Sequence, residues 1–292
     1  MSGGMKTSGI FRVAEHKVKV PRFGDSVTLI PFGDIHREAK HFCTAKWRDF
    51  LRFAKDAENP VYLGMGDYHD FGSTSERHAL QNAALHEDTR RTISLMLQDK
   101  CKAFAEEIGF MAPNLIGLID GNHDMAFELD NGQRTTMTDY MAALLGVPYL
   151  GVAALCGLSI TGGGSTGTVD IYAHHGLGGA GTIGGSINRV AKMSEYVDAR
   201  ILLMGHTHDR GIMPLQSRIR RVPGQFKVRE ETRFAARTGS FLKAYEHGES
   251  SYNVDAGRAP ANLGWVYFLL NLRRLRDEEG ERGLSVEIKG VT

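Results

Sequence analysis

Gly205-His206-Thr207-His208 directly follows the apolar run Ile201–Met204 in this sequence of 292 residues. Alternate side chains of an extended chain point to the same side, so the two imidazoles face one place. Two neutral imidazoles that converge at the end of a buried strand are suitable ligands for a first-row transition metal. This stretch therefore predicts a strand that ends at a metal site, with further ligands from other strand ends.

Four other apolar runs end in a similar way. They lead into the segments Gly33–His36, Gly66–Asp70, Gly121–Asp124 and His174–Gly176, which are rich in Asp, Asn and His. In α/β sheets, ligand sites form at the carboxyl ends of the strands. A single D-x-H or H-x-H pair often arises by chance, and each histidine alone is more often an ordinary loop residue. Five such strand ends in one chain indicate a shared site.

The composition is that of an ordinary globular protein, with 42% apolar and 24% charged residues. A net charge of +1 predicts no general attraction to nucleic acid or acidic membranes. The three cysteines, Cys43, Cys101 and Cys156, are far apart and predict buried thiols in a reducing compartment. The first 20 residues lack the apolar segment of a signal peptide, and the run Trp265–Leu270 is too short to span a bilayer. We expect a soluble cytoplasmic protein.

Strand-like runs alternate with helical patterns, which predicts the α/β class. Helices are expected over residues 45–57, through the long region 75–108, and over 186–197. Thr138 is the expected N-cap of a short helix, and residues 1–20 are expected to form a loosely ordered arm. Because the chain contains no repeat or long linker, we expect a single domain over residues 1–292.

The five segments resemble, in order, the motifs D-x-H, G-D-x-x-D, G-N-H-[DE], a single His and G-H-x-H of the calcineurin-like metallophosphoesterase superfamily. The resemblance covers about residues 27–210. It implies a four-layer αββα sandwich with a dinuclear metal site at the strand ends. Residues 211–292 are strand-rich and would complete the second sheet.

The resemblance also implies a set of metal ligands. One ion would be held by Asp34, His36 and His208. The ligands of the other would be Asn122, His206 and one histidine of the fourth segment, while Asp67 would bridge both ions. Nitrogen and oxygen donors without a thiolate favour two divalent ions of Mn, Fe, Zn, Co or Ni.

The fourth segment contains two adjacent histidines that point opposite ways. Family members with His-Gly at this place use the histidine before the glycine. This favours His175 as the ligand and leaves His174 as the alternate.

The resemblance gives His123 a catalytic role, in which it faces the substrate and protonates the leaving oxygen or stabilises the phosphoryl group. Asp70 would hydrogen-bond His123 and favour its charged form. For Asp124, ordinary turn or capping chemistry is the favoured interpretation. Candidate contacts to the substrate phosphate flank the motifs: Arg189, Lys192 and Arg210.

Gly176–Gly181 matches G-x-G-x-x-G after a strand, but residues 182–185 separate it from the predicted helix. A dinucleotide fingerprint would open the helix at its third glycine. A P-loop is excluded because no G-K-[ST] is present. Two interpretations stay open, a flexible lip over the metal centre and a permissive surface loop.

These features predict a dinuclear metal-dependent phosphoesterase in which a metal-bridging hydroxide attacks phosphorus. Two divalent ions about 3.5–4 Å apart lower the pKa of a shared water and neutralise phosphate charge. The basic stretch 218–233 and the glycine loop favour a phosphodiester of nucleotide or nucleic-acid type. The alternatives are a phosphomonoesterase of the same family, a nuclease that acts with a partner protein, and a non-catalytic binding scaffold.

Overall fold

The computed structural model describes residues 6–8, 11–176, 178, 183–221, 228–245, 262–276 and 282–292. The helices are α1 (Thr44–Asp56), α2 (Thr74–Asn82), α3 (Glu87–Ile108), α4 (Met137–Leu145) and α5 (Ile183–Met193), with a 3₁₀ helix at Gly109–Asn114. The strands are β1 (Lys6–Ser8), β2 (Phe11–Lys19), β3 (Ser26–Phe32), β4 (Pro60–Gly64), β5 (Leu115–Leu118), β6 (Ala126–Glu128), β7 (Arg134–Thr136), β8 (Ala153–Gly162), β9 (Ser165–His174), β10 (Ile201–Met204), β11 (Arg210–Arg221), β12 (Val228–Ser240), β13 (Gly264–Trp265), β14 (Tyr267–Arg276) and β15 (Arg282–Val291).

The first sheet has five strands in the order β15-β14-β3-β4-β5. Its parallel strands β3, β4 and β5 precede the first three predicted segments. These strands are almost continuous apolar runs because both of their faces are buried. The antiparallel pair β14 and β15 extends the sheet beyond β3.

The second sheet has eight strands, of which seven follow the order β1-β2-β8-β9-β10-β12-β11 and β13 pairs with β12. Strands β9 and β10 are parallel, with His174 beside Met204 in the register. The fourth and fifth segments therefore follow the carboxyl ends of two neighbouring strands and lie at the same end of this sheet.

The two sheets share one apolar core. Fully buried side chains of the first sheet, such as Leu29 and Leu63, belong to the same cluster as Leu158 and Ile171 of the second sheet. Because successive side chains of a strand point to opposite faces, the neighbours of these residues face outward towards the helices.

Helices cover the outer faces of both sheets. Trp47 and Phe50 of α1 and Phe104 of α3 pack on the outer face of the first sheet, with a distance of 5.0 Å between the ring centroids of Trp47 and Phe50. Val190 and Met193 of α5 pack on the outer face of the second sheet. The predicted α/β class is confirmed, and the packing order is consistent with the predicted layers.

The C-terminal part, residues 211–292, does not serve the second sheet alone. Strands β11, β12 and β13 join the eight-stranded sheet, whereas β14 and β15 extend the five-stranded sheet. The chain therefore returns to the first sheet after it has built the second.

Four local expectations are corrected. The helical region 75–108 is two helices, since Ala83 is extended at the end of α2 with φ −68° and ψ 139°. The N-cap of α4 is Thr136, whose hydroxyl accepts from the N–H of Asp139, so Thr138 lies within the first turn. Residues 11–19 form β2, a parallel partner of β8, and not part of a loose arm. Helix α5 covers Ile183–Met193, so it begins and ends earlier than the predicted 186–197.

No helix among the described residues is long and apolar enough to cross a membrane. Most of the glycine loop falls outside the described residues, at 177 and 179–182.

Candidate metal centre

Segments from both sheets meet where the central strands end. The backbone N–H of Asp34 donates to the carbonyl of Gly66 over 2.9 Å. The N–H of His206 donates to both oxygens of the Asp34 carboxylate, at 3.0 and 2.9 Å. The N–H of His123 donates to Oδ1 of Asp67 over 2.8 Å. These bonds fix four of the five segments relative to one another.

The backbone at this place is unusual. Six described residues other than glycine have a positive φ between 41° and 65°, and five of them lie in these segments: Asp34, His36, Asp67, His206 and His208. Such a conformation costs about 1–3 kcal/mol per residue and persists where the surrounding structure demands it. This concentration of strain points to a functional site.

Two glycines leave room for the carboxylates. A Cβ at position 121 would lie 1.9 Å from Oδ1 of Asp67, and a Cβ at position 205 would lie 2.7 Å from Oδ2 of Asp34. Any side chain at Gly121 or Gly205 would therefore displace a carboxylate from the site.

Three groups of side chains could each hold a metal ion. Within each group the candidate ligand atoms lie within 4.8 Å of one another. The groups are Asp34, His36 and His208; His36, Asp67 and His123; and Asp67, His175 and His206. Because His36 and Asp67 each belong to two groups, the three form one continuous cluster.

The surroundings of His175 suit a cation. Its Nδ1 lies 2.7 Å from the carbonyl of Met65, so it donates there and leaves a lone pair on Nε2 when the ring is neutral. That Nε2 lies 3.0 Å from Oδ1 of Asn122 and 3.2 Å from Oδ2 of Asp67, both of which are acceptors. A histidine whose second nitrogen donates to a carbonyl is the usual arrangement of a metal ligand.

The candidate ligand atoms of His36 and His208 are also close together. Their Nε2 atoms are 3.0 Å apart, while Nδ1 of His36 lies 3.1 Å from Oδ2 of Asp70. Donation from Nδ1 to Asp70 leaves the lone pair of His36 directed towards His208. Nε2 of His208 also lies 3.6 Å from Oδ1 of Asp34. A metal ion between these atoms would bind the lone pairs of both Nε2 atoms and of Oδ1 of Asp34.

Oδ2 of Asp67 is a further acceptor atom that lies close to these imidazole nitrogens. It is buried, and no described donor forms a hydrogen bond with it. It lies 3.7 Å from Nε2 of His36 and 3.2 Å from Nε2 of His175. An unsatisfied carboxylate oxygen between two imidazoles is costly unless a cation is bound there, so the residues present fit a pair of metal ions.

The pKa values reflect the same concentration of charge. Burial raises the pKa of Asp34 to about 7, against the opposing charge of His175. Burial alone would lower the pKa of His175, but the negative charges of Asp67 and Asp34 raise it to about 9. Burial and the charge of His175 lower the pKa of His206 to about 4. The site therefore favours a positive charge at His175 and disfavours a second one at His206.

His123 lies at the rim of the cluster, with 20% of its side chain exposed. Its Nδ1 is 2.9 Å from Oδ1 of Asp70, whose other oxygen contacts His36. Burial opposes ionisation of Asp70, but the hydrogen bonds of His123 and His36 hold its pKa well below the usual range. The structure thus places Asp70 beside His123.

Arg77 is a site residue that sequence reasoning missed. It is buried, its Nη1 lies 2.9 Å from Nδ1 of His123, and its Nη2 donates to the carbonyl of Asn122 over 2.8 Å. It also donates to the carbonyl of Gly72. The capping box formed by Ser73 and Glu76 marks the start of this helix in the sequence, but nothing there identifies Arg77 as a contact of His123.

The remaining candidates lie elsewhere. Nδ1 of His174 accepts from the N–H of Gly176 over 2.8 Å, and burial lowers the pKa of this histidine. Nδ1 of His69 lies 2.9 Å from Glu38, and its ring stacks on Phe71. These two histidines have local structural contacts.

For two of the three candidate phosphate contacts, the structure shows contacts with residues outside the three ligand groups. Arg189 donates to the carbonyl of Gly178 over 2.6 Å, and Lys192 is exposed on α5. The guanidinium of Arg210 packs against Gly264. Their contact with substrate remains a prediction.

Asp124, which the sequence places in the same segment as His123, has the predicted turn contacts. Its Oδ1 accepts from the N–H groups of Met125 and Thr138, at 3.0 and 3.2 Å.

Solved structures of known proteins overlap only loosely with this chain. No protein family matches the sequence, and no curated protein matches it. Among solved structures, Vps29 of Chaetomium thermophilum is 11% identical, with 92% of this chain and 98% of that chain covered and a TM-score of 0.34. Vps29 of the same organism in complex with the cyclic peptide RT-D3 is 10% identical over 91% and 96% of the chains, with a TM-score of 0.31. These overlaps are too loose to support an argument. The fold and site define an α/β protein with a cluster of Asp and His that could hold metal ions.

Proposed function

We propose that this protein is a dinuclear metal-dependent phosphoesterase of the calcineurin-like type. The observation that carries the proposal is the convergence of acceptor atoms on one point, with Oδ2 of Asp67 between the imidazoles of His36 and His175. The order of the five segments, D-x-H to G-H-x-H, is the second support. We also propose that residues 1–292 form one domain, because the two sheets share a core.

The ligands of one ion would be Asp34, His36 and His208. Asn122, His175 and His206 would hold the other, and Asp67 would contact both. Two such ions supply Lewis acidity and lower the pKa of a water molecule between them. The donor set of nitrogen and oxygen favours Mn, Fe, Zn, Co or Ni.

His123 would act on the substrate. It is partly exposed, whereas His36 and Asp67 beneath it are buried, so a phosphate ester at the cluster would meet its ring. Asp70 lies 2.9 Å from Nδ1 of His123, which would leave Nε2 to donate a proton or hydrogen bond to the leaving oxygen. The carboxylate also orients His36, so Asp70 couples the catalytic histidine to the metal ligands.

We propose a phosphodiester as the substrate, with a monoester as the alternative. The support for nucleic acid from the basic stretch is reduced by the structure, because Arg218 and Arg220 pair with Asp198 at 2.8 and 3.1 Å. A small diester is therefore favoured over a long nucleic-acid strand. The free cysteines Cys101 and Cys156 are buried, which is compatible with a cytoplasmic location.

The test combines elemental analysis with turnover of a chromogenic diester and a chromogenic monoester in the presence of Mn. We expect close to two metal ions per chain and faster turnover of the diester. His123→Ala should lose most turnover and keep its metal, while His78→Ala, an exposed position on α2, serves as the matched control. Metal-loaded protein that hydrolyses neither ester would contradict the proposal and favour a non-catalytic scaffold.

A further inference from the structure

The backbone of Asp34 is held in a conformation that residues other than glycine rarely adopt, with φ 48°. Its carboxylate accepts from the N–H of His206, and its own N–H donates to the carbonyl of Gly66 over 2.9 Å. A strained conformation persists only where the surrounding structure demands it. The third polar group of this residue, its carbonyl, therefore also needs fixed partners.

The carbonyl of Asp34 accepts two hydrogen bonds from the end of β12. The hydroxyl of Ser240 donates to it over 2.9 Å, and the N–H of Phe241 donates over 3.0 Å. The N–H of Leu242 donates to Oγ of Ser240 over 3.0 Å, so this oxygen is an acceptor there. A hydroxyl has one proton to donate, and that proton is therefore directed at Asp34. Ser240 is fully buried, so bulk water does not compete for this bond.

The end of β12 also contacts the segment that carries His208. The chain bends at Gly239, where φ is 91° and a Cβ would lie 2.1 Å from the carbonyl of Gly264. The N–H of Gly239 donates to the carbonyl of Asp209, the residue after His208, over 3.1 Å. Residues 239–241 thus hold the backbone at or beside Asp34 and His208, which belong to one candidate ligand group.

The hydrogen bond from Ser240 goes to the main chain of Asp34, whereas the carboxylate is the candidate ligand. Ser240 can therefore influence a bound ion through the orientation of Asp34. Oδ1 of Asp34 lies 3.6 Å from Nε2 of His208, so a small rotation of the Asp34 backbone would change the separation of two candidate ligand atoms. Residues that orient a ligand affect metal affinity in this way without touching the metal.

We propose that Ser240 is a positioning residue, whose hydroxyl fixes the backbone of Asp34 so that the carboxylate faces the ion held with His36 and His208. This role rests on the proposed function, which places a metal ion there. Ser240 lies outside the five segments, so the role also connects the C-terminal part of the chain to the candidate metal centre.

The test measures the affinity of metal-free protein for Mn by calorimetric titration. We expect Ser240→Ala to weaken the binding of one Mn ion about tenfold or more, as is typical when a group that orients a ligand is lost. Ser240→Thr keeps the hydroxyl and should bind Mn nearly as the wild type does. If Ser240→Ala does not fold, Ser240→Cys replaces it with the same expected loss, because a thiol is only a weak donor.

Thr28→Val is the matched control for the loss of a buried hydroxyl. Thr28 lies on β3, the strand that leads to Asp34, and its hydroxyl donates to the carbonyl of Glu58 over 2.8 Å. Thr28→Val should bind Mn like the wild type, even where urea unfolding of the metal-free proteins shows a loss of stability similar to that of Ser240→Ala.

The titration separates positioning from catalysis. If the wild-type protein binds Mn but hydrolyses no ester, and Ser240→Ala still weakens that binding, the role of Ser240 stands while the proposed function fails. Wild-type affinity in Ser240→Ala would overturn the role, and so would an equal loss of affinity in Ser240→Thr or in Thr28→Val.

Discussion

Nη1 of Arg77 and Oδ1 of Asp70 each lie 2.9 Å from Nδ1 of His123. Nδ1 has a single in-plane site, so it either donates to Asp70 or accepts from Arg77, and either contact fixes the plane of the imidazole. Nε2 is then the nitrogen that can act on a substrate. Because Arg77 also holds the carbonyl of Asn122, the turn that carries His123 is fixed through both its backbone and its side chain.

Replacing Arg77 by Lys should lower kcat strongly and change the metal content little. Lysine keeps the positive charge but cannot contact His123, Asn122 and Gly72 with one planar group. A small displacement of a catalytic group can cost up to about 100-fold in rate, so we expect a loss of about 10- to 100-fold in kcat with a near-normal KM. Steady-state kinetics and elemental analysis check this, with His78→Lys as the exposed control on the same helix. An unchanged kcat would show that Arg77 only anchors α2.

Replacing Asp70 by Asn should weaken metal binding as well as turnover. Asp70 accepts from His36 and contacts His123, so its charge supports both a proposed ligand and the proposed acid. Loss of such a supporting carboxylate typically costs about 10- to 100-fold in metal affinity. Calorimetric titration with Mn measures the affinity. Asp56→Asn, an exposed carboxylate at the end of α1, is the control and should bind Mn like the wild type. If Asp70→Asn bound Mn with the affinity of the wild type, Asp70 would support His123 and not the metal ligands.

His174 and His175 can be separated by metal stoichiometry. Nε2 of His175 faces Asn122 and Asp67, while Nδ1 of His174 accepts from the N–H of Gly176. We therefore expect His175→Ala to lose about one metal ion per chain and His174→Ala to keep both. Elemental analysis after removal of loosely bound metal gives the count. Loss of metal in His174→Ala alone would reverse the assignment.

The α/β class and the meeting of the five segments could be predicted from the sequence, because each depends on short local patterns. Apolar runs that stop at Asp34, Asp67 and His206 mark strand ends, and parallel strands bring such ends together. Adjacent glycines, such as Gly121, are visible in the sequence and explain why a carboxylate can approach so closely.

Arg77 and the return of β14 to the first sheet could not be predicted in this way. The contact between Arg77 and His123 joins residues 46 positions apart and depends on how α2 crosses the strand ends. Strand β14 pairs with β3, and Phe268 lies opposite Leu29. Local patterns identify a strand but not its partner, so these arrangements follow only from tertiary packing.

A final prediction concerns stability and pH through Asp124. Burial and the charge of Asp120 raise the pKa of this carboxyl from a usual 3.8 to about 8. The folded protein therefore keeps a proton on Asp124 between about pH 4 and 8, where the unfolded chain has lost it. The contribution of Asp124 to the free energy of unfolding is fully present below about pH 3.8 and is lost as the pH rises through about 8. Asp124→Asn mimics the protonated group at every pH, so urea unfolding should show a smaller fall in stability between pH 5 and 8 than in the wild type. Asp130→Asn, at an exposed turn, should follow the wild-type curve, and an equally steep fall in Asp124→Asn would show that Asp124 is ionised in the folded protein.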